Sequence, residues 1–305
     1  MPNEHADTPL LLRLPLVGGP ASRLDRELRG WRDHGHVGGI SERDPEYVER
    51  QLRWLAPLVD LWFRGEVRHL DRIPRDSPVL MVANHSGGLV TPDTWVFEVN
   101  YIRHFGTARE TYALAHDMVM GMPLIGRYLR ASGCLPADHH YAEDALRRGA
   151  AVLVYPGGDE DVFRSFRERN RIHLAGRTGF IRLALRTGVP IVPIVSVGGH
   201  ETVLVLNDHG RIAHFLGLDR RFRLKTLSFL VGPPWGVSPG DWLFHIPLPA
   251  KITVECGRPI DLRARFGDVD PDDRDEVWRC YRYVERRMQV MLDRLAAERR
   301  LPILG

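Results

Sequence analysis

The sequence is poor in cysteine and almost without lysine. Its three cysteines, Cys134, Cys256 and Cys280, include no C-x-x-C spacing, which excludes a disulfide framework and a zinc site built on cysteine pairs. Lysine occurs only at Lys225 and Lys251, so arginine carries nearly all of the positive charge in a chain whose net charge is +3. Guanidinium groups can bind phosphate or carboxylate with two hydrogen bonds, but a GC-rich coding sequence produces the same excess of arginine.

Long apolar segments are also missing. No stretch approaches the roughly 18 apolar residues that a transmembrane helix needs, and the longest candidate, at 188–199, contains two prolines. The N-terminus begins with acidic residues and has a short apolar run broken by Arg13, which makes a poor signal peptide. We therefore expect a cytoplasmic protein that is soluble or lies peripherally on the inner face of the membrane. Nucleic acid is not an expected partner, because the arginines do not interleave with a recognisable binding module.

The first part of the chain differs in character from the rest. Residues 1–44 are rich in glycine, proline and arginine and predict an irregular arm, whereas residues 45–64 have apolar side chains three and four positions apart. That spacing indicates an amphipathic helix, which either packs on the core or also touches lipid through tryptophan. We assign residues 1–69 to an N-terminal arm and helix, and residues 70–305 to one α/β domain.

Beyond residue 70, short apolar runs alternate with helical patterns. Strands are predicted at 78–83, 150–155, 190–197, 226–232 and 251–256, and helices at 92–105, 141–149, 177–187 and near the C-terminus. Strands that are apolar on both faces and separated by helices indicate a mostly parallel central sheet covered by helices on both faces. The expected fold class is therefore α/β, with an N-terminal helical segment and a long C-terminal helix.

Glycine and polar residues follow three of the predicted strands. These segments are Asn84–His85, Pro156–Gly158 and Gly198–Glu201. Because chemistry in open α/β sheets collects at the carboxyl ends of the strands, we expect the three segments to meet at one cleft. His85 is a candidate general base, since the histidine pKa lies near neutrality. The plain alternative is a structural histidine bonded to backbone.

Four blocks of the sequence resemble the glycerolipid acyltransferase superfamily. NHSGGLVTPD (84–93), GCLPA (133–137), VYPGGDEDVFR (154–164) and GVPIVPI (188–194) occur in the order and approximate spacing of that family. The resemblance implies a glycerolipid-acyltransferase-like α/β fold and transfer of a fatty acyl group from acyl-CoA or acyl carrier protein to a hydroxyl, without a cofactor or metal. It also implies that His85 is the general base and that Asp93 is the likeliest residue to orient it.

The first block departs from the family's H-x-x-x-x-D pattern. Val90 stands five residues after His85, and Asp93 stands eight after. If this segment were all helical, the rise would be about 12 Å and no contact would form. The pairing therefore requires the Gly87–Gly88 loop to fold back before a helix that starts at Pro92. Asp117 is the alternative partner.

A second resemblance concerns the acceptor. Residues 176–201 are similar to a block of the type 2 diacylglycerol acyltransferase branch, whose members acylate neutral lipid alcohols, and Gly157 replaces the family's phosphate-recognising Glu. Both features favour a phosphate-free acceptor, with a lysophosphatidate acyltransferase of phospholipid synthesis as the alternative. The candidate substrate-binding residues are Ser86, Gly87, Gly88, Tyr155, Pro156, Gly157, Gly158, Arg164 and Arg177.

No G-x-S-x-G motif is present, so no serine nucleophile is required and direct transfer is the preferred mechanism. The expected partners are the acyl donor, a lipid acceptor and a membrane surface. The aromatic loop at 233–249 either enters the lipid interface or covers the sheet. Two other functions fit the same residues. One is an esterase or thioesterase that uses the histidine with water, and the other is a non-catalytic lipid-binding relative.

Overall fold

The computed structural model of the chain describes residues 40–207, 228–239, 241, 245–301 and 303, so the arm predicted at 1–44 lies mostly outside the described residues. The strands are β1 (Glu66–Arg68), β2 (Val79–Ala83), β3 (Thr111–Ala115), β4 (Cys134–Pro136), β5 (Ala151–Val154), β6 (Ile191–Val197), β7 (Leu204–Asn207), β8 (Ser228–Gly232), β9 (Gly236–Pro239) and β10 (Thr253–Cys256). The helices are α1 (Pro45–Pro57), α2 (Pro92–Phe105), α3 (Asp117–Met120), α4 (Pro123–Ala131), α5 (His139–Arg147), α6 (Gly158–Val162), α7 (Gly179–Thr187), α8 (Leu262–Phe266) and α9 (Arg274–Glu298).

Seven of the strands form one sheet, in the order β1-β10-β6-β2-β5-β3-β4. The central strand β2 pairs in parallel with both β5 and β6, and β3 pairs in parallel with β5 and β4. Strand β10 is antiparallel to β6 and carries β1 at the edge of the sheet. Strands β7, β8 and β9 form a separate antiparallel sheet. The predicted α/β class with a mostly parallel sheet is confirmed.

The central sheet lies between two hydrophobic layers. Every residue of β2 is buried, and successive side chains point to opposite faces. Leu80 and Val82 pack with residues of α5, α7 and α9, whereas Val79 and Met81 pack with residues of α1 and α2. The continuous apolar run of this strand is therefore explained by burial on both faces, as predicted.

The N-terminal helix, which consists of α1 and the π-helical segment Leu58–Trp62 that continues it, packs on the sheet but leaves its end exposed. Leu55 and Val59 are buried in the second layer, whereas Trp62 is 40% exposed and its indole N–H donates to the Pro247 carbonyl at 2.8 Å. Lipid contact by this helix stays a prediction. The domain boundary at residues 69 and 70 also stays a prediction, and β1, which lies on the N-terminal side of it, pairs with β10.

Two predicted strands exist but are placed differently from expectation. The run at 226–232 contributes β8 to the small sheet, and the run at 251–256 is β10, which is antiparallel to β6. Residues 245–252, just before β10, contain no helix, and an antiparallel strand needs no helical crossover to join its sheet. The predicted C-terminal helix is α9, which begins after Asp273, whose carboxylate accepts from two backbone N–H groups of the first turn. Among the described residues, no helix is long and apolar enough to cross a membrane.

Candidate active site

Three strand ends meet at the middle of the sheet, as expected from the sequence. Strands β6, β2 and β5 are parallel neighbours, with Met81 of β2 opposite Val192 of β6 and Leu153 of β5. The residues that follow these strands therefore share one edge of the sheet. They are Asn84 and His85 after β2, Tyr155 and Pro156 after β5, and the short 3₁₀ turn Gly199–Glu201 after β6.

His85 and Asp93 are in contact. The imidazole Nδ1 lies 3.3 Å from Oδ1 and 3.4 Å from Oδ2 of the carboxylate. The Asp93 side chain is 2% exposed and that of His85 is 13% exposed, so the carboxylate is shielded while the ring keeps access to solvent. These distances are slightly longer than the usual 2.7–3.2 Å of a hydrogen bond. Asp117, the alternative partner, begins α3 and is exposed.

The loop between the two residues folds back through left-handed backbone. Gly87 has φ 89° and Gly88 has φ 67°, and both values favour glycine. A Cβ at Gly87 would lie 2.6 Å from Cδ of Pro92, the first residue of α2. Thr91 stands before this helix at φ 48° and its side chain makes no capping hydrogen bond. The eight-residue spacing is thus bridged by a loop with one 3₁₀ turn, Gly88–Val90, rather than by an α-helix.

Hydrogen bonds from two strand ends fix the carboxylate. Asp93 accepts from the Ser86 hydroxyl at 3.2 Å, from the Ser196 hydroxyl at 3.4 Å and from the Thr94 N–H at 2.9 Å. The side chain of Asn84 exchanges two hydrogen bonds with the backbone of Ser196, at 2.8 and 3.1 Å. The position of Asp93 is therefore tied to both β2 and β6.

The ring of Tyr155 holds the imidazole from one side. Its centroid lies 4.0 Å from that of His85, with the planes 24° apart. Its hydroxyl accepts from Thr94 Oγ1 at 2.9 Å, and burial raises the pKa of Tyr155 well above its usual range. Stacking and the carboxylate contact together restrict His85 to one orientation.

A buried cluster of Asp161, Arg164 and His200 lies beside the histidine. The His85 N–H donates to Asp161 at 2.6 Å, and Arg164 Nη2 lies 3.3 Å from the same carboxylate and 2.9 Å from His200 Nε2. Burial, partly opposed by the Arg164 charge, raises the pKa of Asp161 to about 6. Burial, reinforced by that charge, holds the pKa of His200 well below its usual range. His200 is therefore neutral and accepts from Arg164.

The other predicted substrate-binding residues lie around this centre. Gly157 packs so closely that a Cβ would lie 2.2 Å from the His173 carbonyl, and the Gly158 N–H donates to the Tyr155 carbonyl at 3.1 Å. Arg177 lies at the surface, where it pairs with Asp159 and Glu160 and donates to the Pro156 carbonyl. Binding of substrate by Pro156, Gly157, Gly158, Arg164 and Arg177, and by Ser86, Gly87, Gly88 and Tyr155, stays a prediction.

Two contacts show how tightly the loop of the first block is packed. A Cβ at Gly199 would lie 2.1 Å from Ser86 Oγ, and a Cβ at Gly88 would lie 2.5 Å from Asp241 Oδ2. The turn after β6 therefore presses on one part of the loop, and Asp241 on another. No cluster of three or more metal-binding side chains is present within the described ranges.

Sequence reasoning missed several residues of the site. Asp161 was visible only as one of three acidic residues, although its spacing of three from Arg164, which lies just beyond the end of α6, was a usable signal. Ser196 lies within an apolar strand and carries no motif. Asp241 and His245 are four residues apart in the aromatic loop, and this spacing allows contact between them. Nothing in the sequence connects them to His85.

The raised pKa of Asp161 gives a pH-dependent stability. The folded-state pKa of Asp161 is about 6 and exceeds the ordinary value of 3.8. The folded protein therefore gains stability from binding this proton; the gain is full below pH 3.8 and is lost as pH rises through 6. Between pH 4 and 6, the free energy of unfolding should therefore fall by about 2 kcal/mol relative to Asp161→Asn, which cannot titrate. Urea unfolding across this range measures it. The Asp144→Asn control, at a half-exposed position, should follow the wild type, and parallel curves for all three proteins would contradict the expectation.

An α/β sheet with a histidine–carboxylate pair at the end of its central strand is the arrangement that the four sequence blocks imply, and it defines an acyltransferase-like class of protein. The comparisons agree with this class. The family model described as Acyltransferase matches residues 64–197.

Similar proteins extend the comparison. An uncharacterized protein of Mycobacterium tuberculosis is 34% identical over 244 residues, which are 80% of this chain and 65% of that protein. One of Mycobacterium leprae is 31% identical over 263 residues, 86% of this chain and 68% of that protein. Diacylglycerol O-acyltransferase 2 of Homo sapiens is 34% identical over 147 residues, 46% of this chain and 37% of that protein. The chain thus spans 65% of the length of its Mycobacterium tuberculosis relative. It belongs to the glycerolipid acyltransferase superfamily and has features of the type 2 diacylglycerol acyltransferase branch.

Proposed function

We propose that this chain is a lipid O-acyltransferase that moves a fatty acyl group from acyl-CoA or acyl carrier protein to a hydroxyl of a glycerolipid or other lipid alcohol. The contact between His85 and Asp93 carries the proposal. A carboxylate only accepts hydrogen bonds, so Nδ1 of the neutral imidazole carries the proton and Nε2 is left as the base. The family and the name of the human relative support the reaction type.

The chemistry requires one proton acceptor and no covalent intermediate. As the hydroxyl oxygen attacks the thioester carbonyl carbon, its proton passes to His85 Nε2. The tetrahedral oxyanion then collapses, the carbon–sulfur bond breaks, and the imidazolium returns the proton to the departing thiolate. An acyl group found covalently attached to the protein during turnover would contradict direct transfer.

Two observations support a neutral alcohol over lysophosphatidate as the acceptor. Gly157 replaces the Glu that recognises phosphate-bearing acceptors in the family, and the close His173 carbonyl leaves no space for a side chain there. Arg164 is 4% exposed and already lies against Asp161 and His200. With so little of its surface exposed, this guanidinium is not presented to an acceptor phosphate.

The assay incubates purified protein with long-chain acyl-CoA and separate acceptors, namely lysophospholipids, monoacylglycerols, diacylglycerols and long-chain alcohols. Mass spectrometry should detect an ester of a neutral alcohol that forms only when the alcohol is present. Free fatty acid as the sole product would instead identify a thioesterase. Acylated lysophosphatidate alone would reverse the acceptor assignment, and bound lipid without any product would identify a non-catalytic relative.

Peripheral association with the inner face of a membrane is part of the proposal. Large apolar side chains are exposed on the N-terminal helix and on the segments around β9, among them Leu61, Trp62, Trp235, Val237 and Ile246. The Trp62–Pro247 hydrogen bond joins the two regions. Exposed tryptophan and aliphatic residues suit the lipid interface. Running the same assay with phosphatidylglycerol vesicles should raise the rate and sediment the protein with the lipid; protein that stays in solution would contradict the association.

A further inference from the structure

A second histidine–aspartate pair lies against the loop that joins His85 to Asp93. His245 Nδ1 is 3.0 Å from Oδ1 and 3.1 Å from Oδ2 of Asp241. Both side chains are buried, at 4% and 3% exposure. These distances are shorter than those between His85 and Asp93, so the second pair is the more closely bonded of the two.

The pair contacts the middle of the loop directly. Asp241 Oδ2 accepts from the Leu89 N–H at 2.7 Å. A Cβ at Gly88 would lie 2.5 Å from the same oxygen and 2.9 Å from His245 Cε1. Leu89 is four residues from His85 and four from Asp93. The second pair therefore packs on the loop at the point that lies midway between the two proposed catalytic residues.

One atom of the pair remains unexplained. Because the Asp241 carboxylate only accepts hydrogen bonds, in the neutral form of the His245 ring Nδ1 carries the proton and Nε2 offers a lone pair. Nε2 is buried, and within the part of the chain that the structure describes it has no hydrogen-bond partner. Leaving a buried acceptor unpaired is unfavourable, so a ligand that donates a hydrogen bond to this nitrogen would be stabilised there.

We propose that Asp241 and His245 form a substrate-binding dyad, in which His245 Nε2 accepts a hydrogen bond from a neutral O–H or N–H group of a substrate and Asp241 fixes both the ring and the loop. The proposal rests on the proposed acyltransferase function. A hydroxyl has one proton, and His85 takes that of the reacting hydroxyl. The group that donates the hydrogen bond to His245 is therefore a second hydroxyl of the acceptor lipid or an amide N–H in the pantetheine arm of the acyl donor.

Two variants of His245 separate its two ring nitrogens. His245→Asn keeps an amide N–H for Asp241 but has no acceptor at the Nε2 position, whereas His245→Gln reaches that position with an amide oxygen. Steady-state kinetics would compare a monoacylglycerol, which has two hydroxyls, with a long-chain primary alcohol, which has one. We expect His245→Asn to raise one KM about tenfold, the effect of losing a single hydrogen bond, with kcat within about threefold. His245→Gln should restore it.

The substrate whose KM changes is the one that donates the hydrogen bond to His245. A rise for monoacylglycerol but not for the primary alcohol assigns a second hydroxyl, and a rise for acyl-CoA assigns the pantetheine amide. Unchanged KM values for all three substrates, or equal rises for both alcohols without a change for acyl-CoA, would overturn the proposal.

Binding without turnover separates this site from the proposed function. In wild-type protein with ¹⁵N-labelled histidine, adding a monoacylglycerol or a non-reactive acyl-CoA thioether should shift the His245 Nε2 resonance, and the His245→Asn spectrum identifies that signal. A shift in a protein that transfers no acyl group would leave the site standing and remove the proposed function. No shift with either probe would remove the site.

Discussion

Replacing His85 with alanine should lower the rate of acyl transfer about 10³-fold, because the attacking hydroxyl then loses its proton acceptor. General bases contribute roughly 10²–10⁴-fold to enzymatic rates. The KM values for donor and acceptor should change little, since the imidazole acts on a proton that moves only during the reaction. Steady-state rates measured by product mass spectrometry test this.

The fold should survive this substitution. The His85 side chain lies at the end of β2 and is 13% exposed, and its backbone N–H, which holds Asp161, is still present in alanine. His104→Ala is the matched control, because His104 is exposed near the end of α2 and should keep wild-type activity. Residual transfer above a tenth of the wild-type rate in a folded His85→Ala protein would refute the role of general base.

Asp93→Asn should have the second largest effect, a loss of about 10²–10³ in kcat. The asparagine amide can donate to Nδ1, which stabilises the tautomer with its proton on Nε2, the nitrogen that must accept. The size of the side chain and its hydrogen bond with the Thr94 N–H can both be retained. Circular dichroism should therefore show a folded protein.

Asp117→Asn is the control that decides between the two candidate carboxylates. Asp117 lies exposed at the start of α3, so its variant should keep at least half of the wild-type rate. Because His85 and Asp93 act as a unit, the double variant of both should be no slower than His85→Ala alone. A large loss in Asp117→Asn with little loss in Asp93→Asn would reverse the assignment.

The three fully buried parallel strands β2, β5 and β6 were predictable from the sequence, and the short edge strand β1 was not. Strands β2, β5 and β6 are continuous apolar runs because helices cover both of their faces, so composition alone marks them. Strand β1 has the sequence Glu-Val-Arg and is only half-buried, so neither its length nor its polarity distinguishes it from a loop. The antiparallel direction of β10 depends on the path of the preceding segment, which residue type does not encode.

The site residues that lie close together in the sequence were predictable, and the contacts between residues far apart in the sequence were not. His85, Gly87, Gly88 and Asp93 lie within one stretch, and the two glycines indicated the fold-back that the spacing requires. The contact of Asp161 with the His85 N–H spans 76 residues and arises only when β2 and β5 pair. The same holds for Asp241, whose bond to Leu89 spans 152 residues. Such contacts are products of tertiary packing and leave no periodic trace in the sequence.

The approach of Gly199 to Ser86 links the evolution of two distant positions. A Cβ at Gly199 would lie only 2.1 Å from the serine oxygen, so the two positions share the space for one side chain. A larger residue at one position requires a smaller residue at the other. Among relatives, alanine or serine at the position of Gly199 should therefore occur together with glycine at the position of Ser86. We therefore expect the serine hydroxyl that supports Asp93 only in relatives that keep glycine at the position of Gly199, so the residue at that position should predict whether a hydroxyl holds the carboxylate.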